Sequence, residues 1–203
     1  TQYVERGAEL GNGSAFPGSD RGGNALGAAL LSARTGGDVG DSHSWRLGAS
    51  WLRAKAQERA WGLAHDHGHA GETEESSFTG TSRTWVLDGV WKWAPNGNAK
   101  RTHFALQGEY FRRTESGSAA VVEGTDPAID GLYRSSQSGW YVQGVYQFVP
   151  QWRVGLRYDR LSSGSLSLGN ADLAEHLAQP GYNPKRTSLM LDWSPSEFQR
   201  WRI

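Results

Sequence analysis

Apolar and polar residues alternate along much of this chain with a period of two, the spacing at which successive side chains of an extended strand fall on opposite faces. From Trp85 to Trp93 the odd positions are Trp85, Leu87, Gly89, Trp91 and Trp93, whereas Asp88 and Lys92 occupy even ones. Phe104, Leu106, Gly108 and Tyr110 alternate with His103, Gln107 and Glu109, ahead of Arg113. Trp140, Val142, Gly144, Tyr146 and Phe148 alternate with Tyr141, Gln143 and Gln147. The same rule holds for Trp152, Val154, Leu156 and Tyr158 against Arg153, Arg157 and Asp159, and for Trp45, Leu47, Ala49 and Trp51 against Arg46 and Ser50. It holds again for Leu189, Leu191 and Trp193 against Ser188 and Asp192. These segments are expected to be strands with one greasy and one polar face. Residues 2–10 and 24–35 are expected to be strands that declare no face. Residues 199–203 begin a ninth, with Trp201 and Ile203 set against Arg200 and Arg202.

The connections carry a second pattern. Asn96-Gly97, following Pro95, is a strong hairpin signal because both residues tolerate positive φ. Short connections are expected at 36–43, 95–99, 149–151 and 194–198, and long ones at 11–23, 57–82, 115–137 and 162–185. All seven prolines fall in or beside these connections, as a hydrogen-bonded ladder requires. Short and long alternate, so an antiparallel meander would have tight turns at one end and long loops at the other. That asymmetry belongs to bacterial outer-membrane barrels, with short periplasmic turns and long extracellular loops. The expected fold class is therefore all-β: an antiparallel transmembrane β-barrel wall of about nine strands, forming a single domain over residues 1–203.

The aromatic residues fit this reading. Trp45, Trp93, Phe104, Phe148, Trp152, Trp193 and Trp201 fall near the short-turn end of the greasy face, and Trp85, Tyr110, Trp140 and Tyr158 near the other end. Two aromatic bands separated by Val, Leu, Gly and Ala suit the two surfaces of a bilayer. A soluble Trp-rich β-sandwich, acting as a binding module for carbohydrate or protein, is the competing arrangement; its aromatics would sit mid-strand. Nine strands leave a barrel open, and an open edge in hydrocarbon strands backbone groups at several kcal/mol each. At least one further strand is therefore expected outside this sequence, which is read as a fragment of a larger barrel.

Composition narrows the function. Lys and Arg total 21 and Asp and Glu total 21, so no nucleic-acid footprint is present. There is no cysteine, which removes disulfide and thiolate chemistry. The richest apolar run, Leu26 to Ala33, is too short to cross a bilayer as a helix, and Thr1 opens no signal peptide. No G-x-S-x-G elbow occurs, since the stretch Gly164 to Gly169 has the wrong spacing. His103 has no evident serine partner, and the carboxylates are too scattered to nominate a glycosidase pair. No enzyme and no required cofactor are expected.

Two constellations remain. His65, His67 and His69 alternate within the connection 57–82, beside Asp66, Glu72, Glu74 and Glu75. Imidazole and carboxylate together suit zinc, copper or nickel, and alternate spacing lets two imidazoles of an extended loop share one ion. His65, His67, His69, Asp66 and Glu72 are the expected ligands, with zinc the expected metal. A solvated polar loop is the bland alternative. The polar strand face supplies Arg46, Asp88, Lys92, His103, Glu109, Arg113, Arg153, Arg157, Asp159, Arg186 and Asp192, which a barrel would point into its lumen. Arginine is the commonest charge there, which would favour small polar or anionic solutes, unless the arginines pair with carboxylates and merely stiffen the wall.

The stretches Val90 to Asn98, Glu109 to Arg113, Gly139 to Phe148, Trp152 to Leu161 and Arg186 to Phe198 resemble the C-terminal part of a family of Gram-negative outer-membrane β-barrel proteins. That family is related to phosphate-selective porins of the O/P type, and includes proteins labelled TonB-dependent; its His-rich loops are similar to those of outer-membrane proteins associated with zinc supply. The resemblance implies a bacterial outer-membrane location, contact with lipid, and a porin-like channel or uptake role. It also implies a signal peptide, a short helical segment and further strands before this region, and more strands with a C-terminal aromatic after it.

Overall fold

The computed structural model describes residues 2–12, 26–61, 74–123, 127–177 and 181–203. They form one antiparallel sheet of nine strands whose spatial order is the sequence order. The strands are β1 (Gln2–Gly11), β2 (Ala28–Val39), β3 (His43–Trp61), β4 (Glu74–Trp93), β5 (His103–Glu123), β6 (Ile129–Val149), β7 (Trp152–Leu168), β8 (Lys185–Ser196) and β9 (Gln199–Arg202). A single helical turn, α1 (Asp172–Leu177), interrupts the connection from β7 to β8. Among the described residues there is no second sheet, and β1 and β9 are not paired with each other. The sheet is open, and among the described residues no second layer faces it as a sandwich would require.

The hairpin expected at Asn96-Gly97 is present. Asn96 has φ 51° and Gly97 φ 71°, the left-handed values that this residue pair accommodates cheaply. The turn also leans on its neighbour, because the Asn96 amide donates to Ser42 Oγ at 3.0 Å and the Ala94 amide to the Ser42 carbonyl at 2.8 Å.

Three of the four expected long connections are partly strand. β3 continues to Trp61 and β4 begins at Glu74, so both ends of 57–82 are strand; β5 reaches Glu123 and β6 starts at Ile129, so most of 115–137 is paired. The connection 162–185 shrinks to the stretch between Leu168 and Lys185, while the one expected at 11–23 extends to the start of β2 at Ala28. The link from β5 to β6 is now shorter than the one from β4 to β5, so strict alternation of short and long fails. The Ser, Thr and Gly runs that read as loops keep their ladder hydrogen bonds and continue the strands. With 20, 21 and 21 residues, β4, β5 and β6 are roughly 65–70 Å long.

The register lines up the expected faces. Trp45 lies opposite Trp91, Trp51 opposite Trp85, Tyr110 opposite Trp140, Phe104 opposite Tyr146, and Trp152 opposite Trp193. Rings meet along both bands: His43 stacks on Trp91 at 5.5 Å, Trp91 meets Phe104 edge-on at 5.9 Å, and Trp140 lies 5.4 Å from Tyr158. This face is uncovered, with Trp85 52% and Leu189 75% exposed. β1 does not conform, since Arg6 shares this face with Val4 and Leu10.

In the half of the sheet farther from the tight turns the hydrophobic phase inverts. The opposite face, charged near the turns, there carries Ala56, Phe78, Ala119 and Tyr133 as a buried cluster, with Leu166, Leu168 and Leu177 packed against it. Phe78 and Tyr133 meet edge-on at 5.3 Å. Gly80 faces Gly117 directly beneath Phe78, and a methyl on either would strike backbone. Two register irregularities bring further residues of β3 and β7 to this side. One, between Ala56 and Arg59, places Glu58 at φ 49° and turns Arg59 toward the cluster. The other, around Ser163 and Gly164 (φ 67°), opposes Leu166 to Ser135 and Leu168 to Tyr133. α1 packs Leu177 against the cluster and buries Leu173 completely beside Gly131.

Candidate functional site

The polar face near the tight turns is a lattice of charges held across strands. Asp88 folds over Gly48, where any Cβ would collide with its carboxylate, and lies 3.6 Å from Arg46. Three strands away, Asp159 accepts from Arg157 at 2.7 Å and from Arg186 at 3.4 Å. The Arg157 guanidinium stacks 3.8 Å over the ring of Tyr141, whose hydroxyl donates to Glu109. Asp192, fully buried, takes Arg200 and Arg202 of β9 together, with Arg202 Nε at 2.6 Å from Oδ1. His103 is an ordinary turn residue, its Nδ1 on the Ala99 carbonyl at 3.0 Å. Among the described residues, Lys92 and Arg153 have no carboxylate partner. Arg153 lines a cleft of about 330 Å³ with Arg157, Arg200, Arg202, Gln143 and Asp192. All eleven expected polar-face residues thus lie on one side of the sheet, but most of the arginine charge is balanced locally.

Arg113 belongs to a different group. Beyond the charged lattice, Glu115 is nearly buried and accepts from Arg59 at 2.8 Å and Arg113 at 2.6 Å. Arg59 also lies 5.0 Å over the Phe78 ring, and Arg113 Nε donates to Ser82 Oγ at 3.2 Å. Burial alone would push the Glu115 carboxyl up; the Arg59 hydrogen bond and the two guanidinium charges outweigh it and hold the group below its ordinary value. Burial pushes the Tyr133 hydroxyl up, against an opposing hydrogen bond from Ser135. Arg59, Phe78, Glu115 and Tyr133 were missed in the sequence because all four lie inside expected loops. The signal that could have found them is a resumed alternation, Ser76, Phe78, Gly80 and Ser82 on one side against Ser77, Thr79 and Thr81 on the other.

His65, His67, His69, Asp66 and Glu72 lie outside the described residues, between the ends of β3 and β4. Among the described residues no cluster of three His, Cys, Asp or Glu side chains could hold a metal ion.

Fold and site together define an open all-β sheet of nine antiparallel strands, apolar on one side and charged on the other near its tight turns. No protein-family model matches the chain, and no solved structure matches it. The chain is similar to an uncharacterized protein of Aquifex aeolicus (strain VF5), 28% identical over 134 residues, which cover 65% of this chain and 25% of that protein. It therefore spans about a quarter of the length of that relative.

Proposed function

We propose that the sheet is part of the wall of a transmembrane β-barrel in a bacterial outer membrane, and that the whole protein is a porin-like channel or uptake protein for small polar solutes. The carrying observation is the inversion of hydrophobic phase along β4, β5 and β6. Near the tight turns the apolar residues point to the uncovered face and the charges to the other; farther out a small apolar core forms on the formerly charged side. Water on both sides of a sheet gives no reason for such a switch. Lipid against one face for part of the strand length does, because outside the lipid the strands must build a core of their own. Trp85 to Trp93 and Trp140 to Phe148 are each nine residues, close to the 9–11 or so that a tilted strand needs to span the hydrocarbon. Further strands would close the open edges, in keeping with the greater length of the Aquifex relative.

In this reading the charged lattice lines water, and the unpaired Lys92 and Arg153 give it an anionic preference. The connection bearing His65, His67 and His69 then lies outside the cell, where it offers a weak, exchangeable site for zinc. Planar-bilayer conductance of the full-length protein tests the reading. Ohmic conductance with anion preference is expected; a protein that inserts and conducts nothing would exclude an open channel.

A further inference from the structure

Resting on that reading, we infer that a row of bases on the lipid-facing side holds the phosphate groups of anionic membrane lipids. The row is Arg53, Arg83, Arg112, Arg160 and Lys185, all exposed. In three strands each base stands two residues beyond the band aromatic of its own strand, away from the tight turns and on the same face: Trp51 with Arg53, Tyr110 with Arg112, and Tyr158 with Arg160. Arg83 stands likewise beyond Trp85, and Lys185 beyond Thr187, which lies opposite Tyr158. The offset is about 7 Å along the strand. From β3 and β4 to β5 and then to β7 and β8, both series step together toward the tight turns in the cross-strand register, as tilted strands crossing a level surface do.

Charge balance separates this row from the other face. Arg46, Arg113, Arg157 and Arg186 each have a carboxylate within 4 Å or less, whereas among the described residues none of the five outward bases has one. Arg112 reaches only Ser136 Oγ at 3.4 Å. Arg53 and Arg83 are direct cross-strand partners, an arrangement that like charges make unfavourable unless an anion lies between them. Guanidinium forks match phosphate oxygens in pairs, and long basic side chains reach from an apolar surface to the polar layer above it. The bases are spread from β3 to β8, roughly 25 Å at strand spacing, so they cannot converge on one small anion. A layer of lipid phosphates just beyond an aromatic band meets all of them at once.

The test uses the full-length protein reconstituted into phosphatidylcholine vesicles with and without phosphatidylglycerol, and compares wild type with the variant Arg53→Gln, Arg83→Gln, Arg112→Gln. The wild type is expected to insert into both and to unfold at a higher temperature in the anionic vesicles, an increment that shrinks at high salt. The variant should insert equally well into neutral vesicles and lose most of that increment. Insertion with no anionic increment, or an increment that the variant keeps, overturns the inference alone. An equal increment from free inorganic phosphate in neutral vesicles also overturns it, in favour of a soluble anion site. Failure of the wild type to insert into either vesicle overturns the membrane reading and this one with it.

Discussion

Arg59 and Glu115 meet at 2.8 Å across the intervening strand β4 because the chain slips register between Ala56 and Arg59. In an unbroken register Arg59 would lie opposite Ser77 on the uncovered face, and Glu115 would share its charge with Arg113 alone. The slip therefore decides which side of the sheet receives a buried cation.

Removing that cation should be costly. Arg59→Ala is expected to destabilise the half of the sheet around Phe78, Glu115 and Tyr133 by about 1.5–3 kcal/mol, the range for a lost hydrogen bond to a charged group, since Arg113 still faces Glu115. Hydrogen exchange should show amides there opening early while those between Trp85 and Trp93 keep their protection. Uniform loss along β4 would mean that the two halves are one cooperative unit.

The same cluster predicts a pH response. Glu115 is held below its ordinary value in the folded chain, and a carboxyl lowered on folding adds stability above its unfolded value and loses it as the pH falls through the folded one. Exchange protection near Arg59 should be level from about pH 7 to 5 and fall below about 4.5. Glu115→Gln should start lower and respond less over that range; an unchanged acid response would place its cause elsewhere.

On the uncovered face, position along the strand should matter more than exposure. In the full-length protein refolded into vesicles, Leu87→Arg should cost about 2–4 kcal/mol, whereas Thr81→Arg, on the same face but beyond the aromatic band, should cost close to none. Similar small costs at both sites would remove the case for lipid against this face.

Ion selectivity should follow the local pairing. Asp159 is shared by Arg157 and Arg186 and offsets part of their charge, so Asp159→Asn is expected to raise the anion preference of the reconstituted channel, while Arg153→Glu lowers it. Reversal potentials under a salt gradient measure both, best at low ionic strength, where screening is weak.

Zinc binding by the β3–β4 connection is checked by calorimetry. Heat is expected from the wild type at a pH of about 7.5 and much less at about 5.5, because ligation needs neutral imidazoles. The variant His65→Ala, His67→Ala, His69→Ala should give little heat at either pH, and equal heats from both proteins would leave the tract a solvated loop.

Local chemistry was enough for the class of fold. Trp85 through Trp93 and Trp140 through Phe148 alternate so regularly that strand, face and aromatic banding follow from period two alone, and Asn96-Gly97 forms its turn because no distant contact is needed for positive φ there. The eleven polar-face residues were legible for the same reason, since alternation assigns a side without saying what lies across from it. Their pairing was not. Asp159 reaches Arg186 and Glu115 reaches Arg59 through registers set by neighbouring strands, and a single irregular residue pair reverses every side chain beyond it. The Ser- and Gly-rich ends of β4, β5 and β6 were read as loops because their few apolar residues, Phe78, Ala119 and Tyr133, are uninformative one strand at a time. Burial of those residues against one another, with Leu177 packed on them, emerges only when the strands are side by side, because a sheet's core is shared among strands, while alternation is a property of each strand alone.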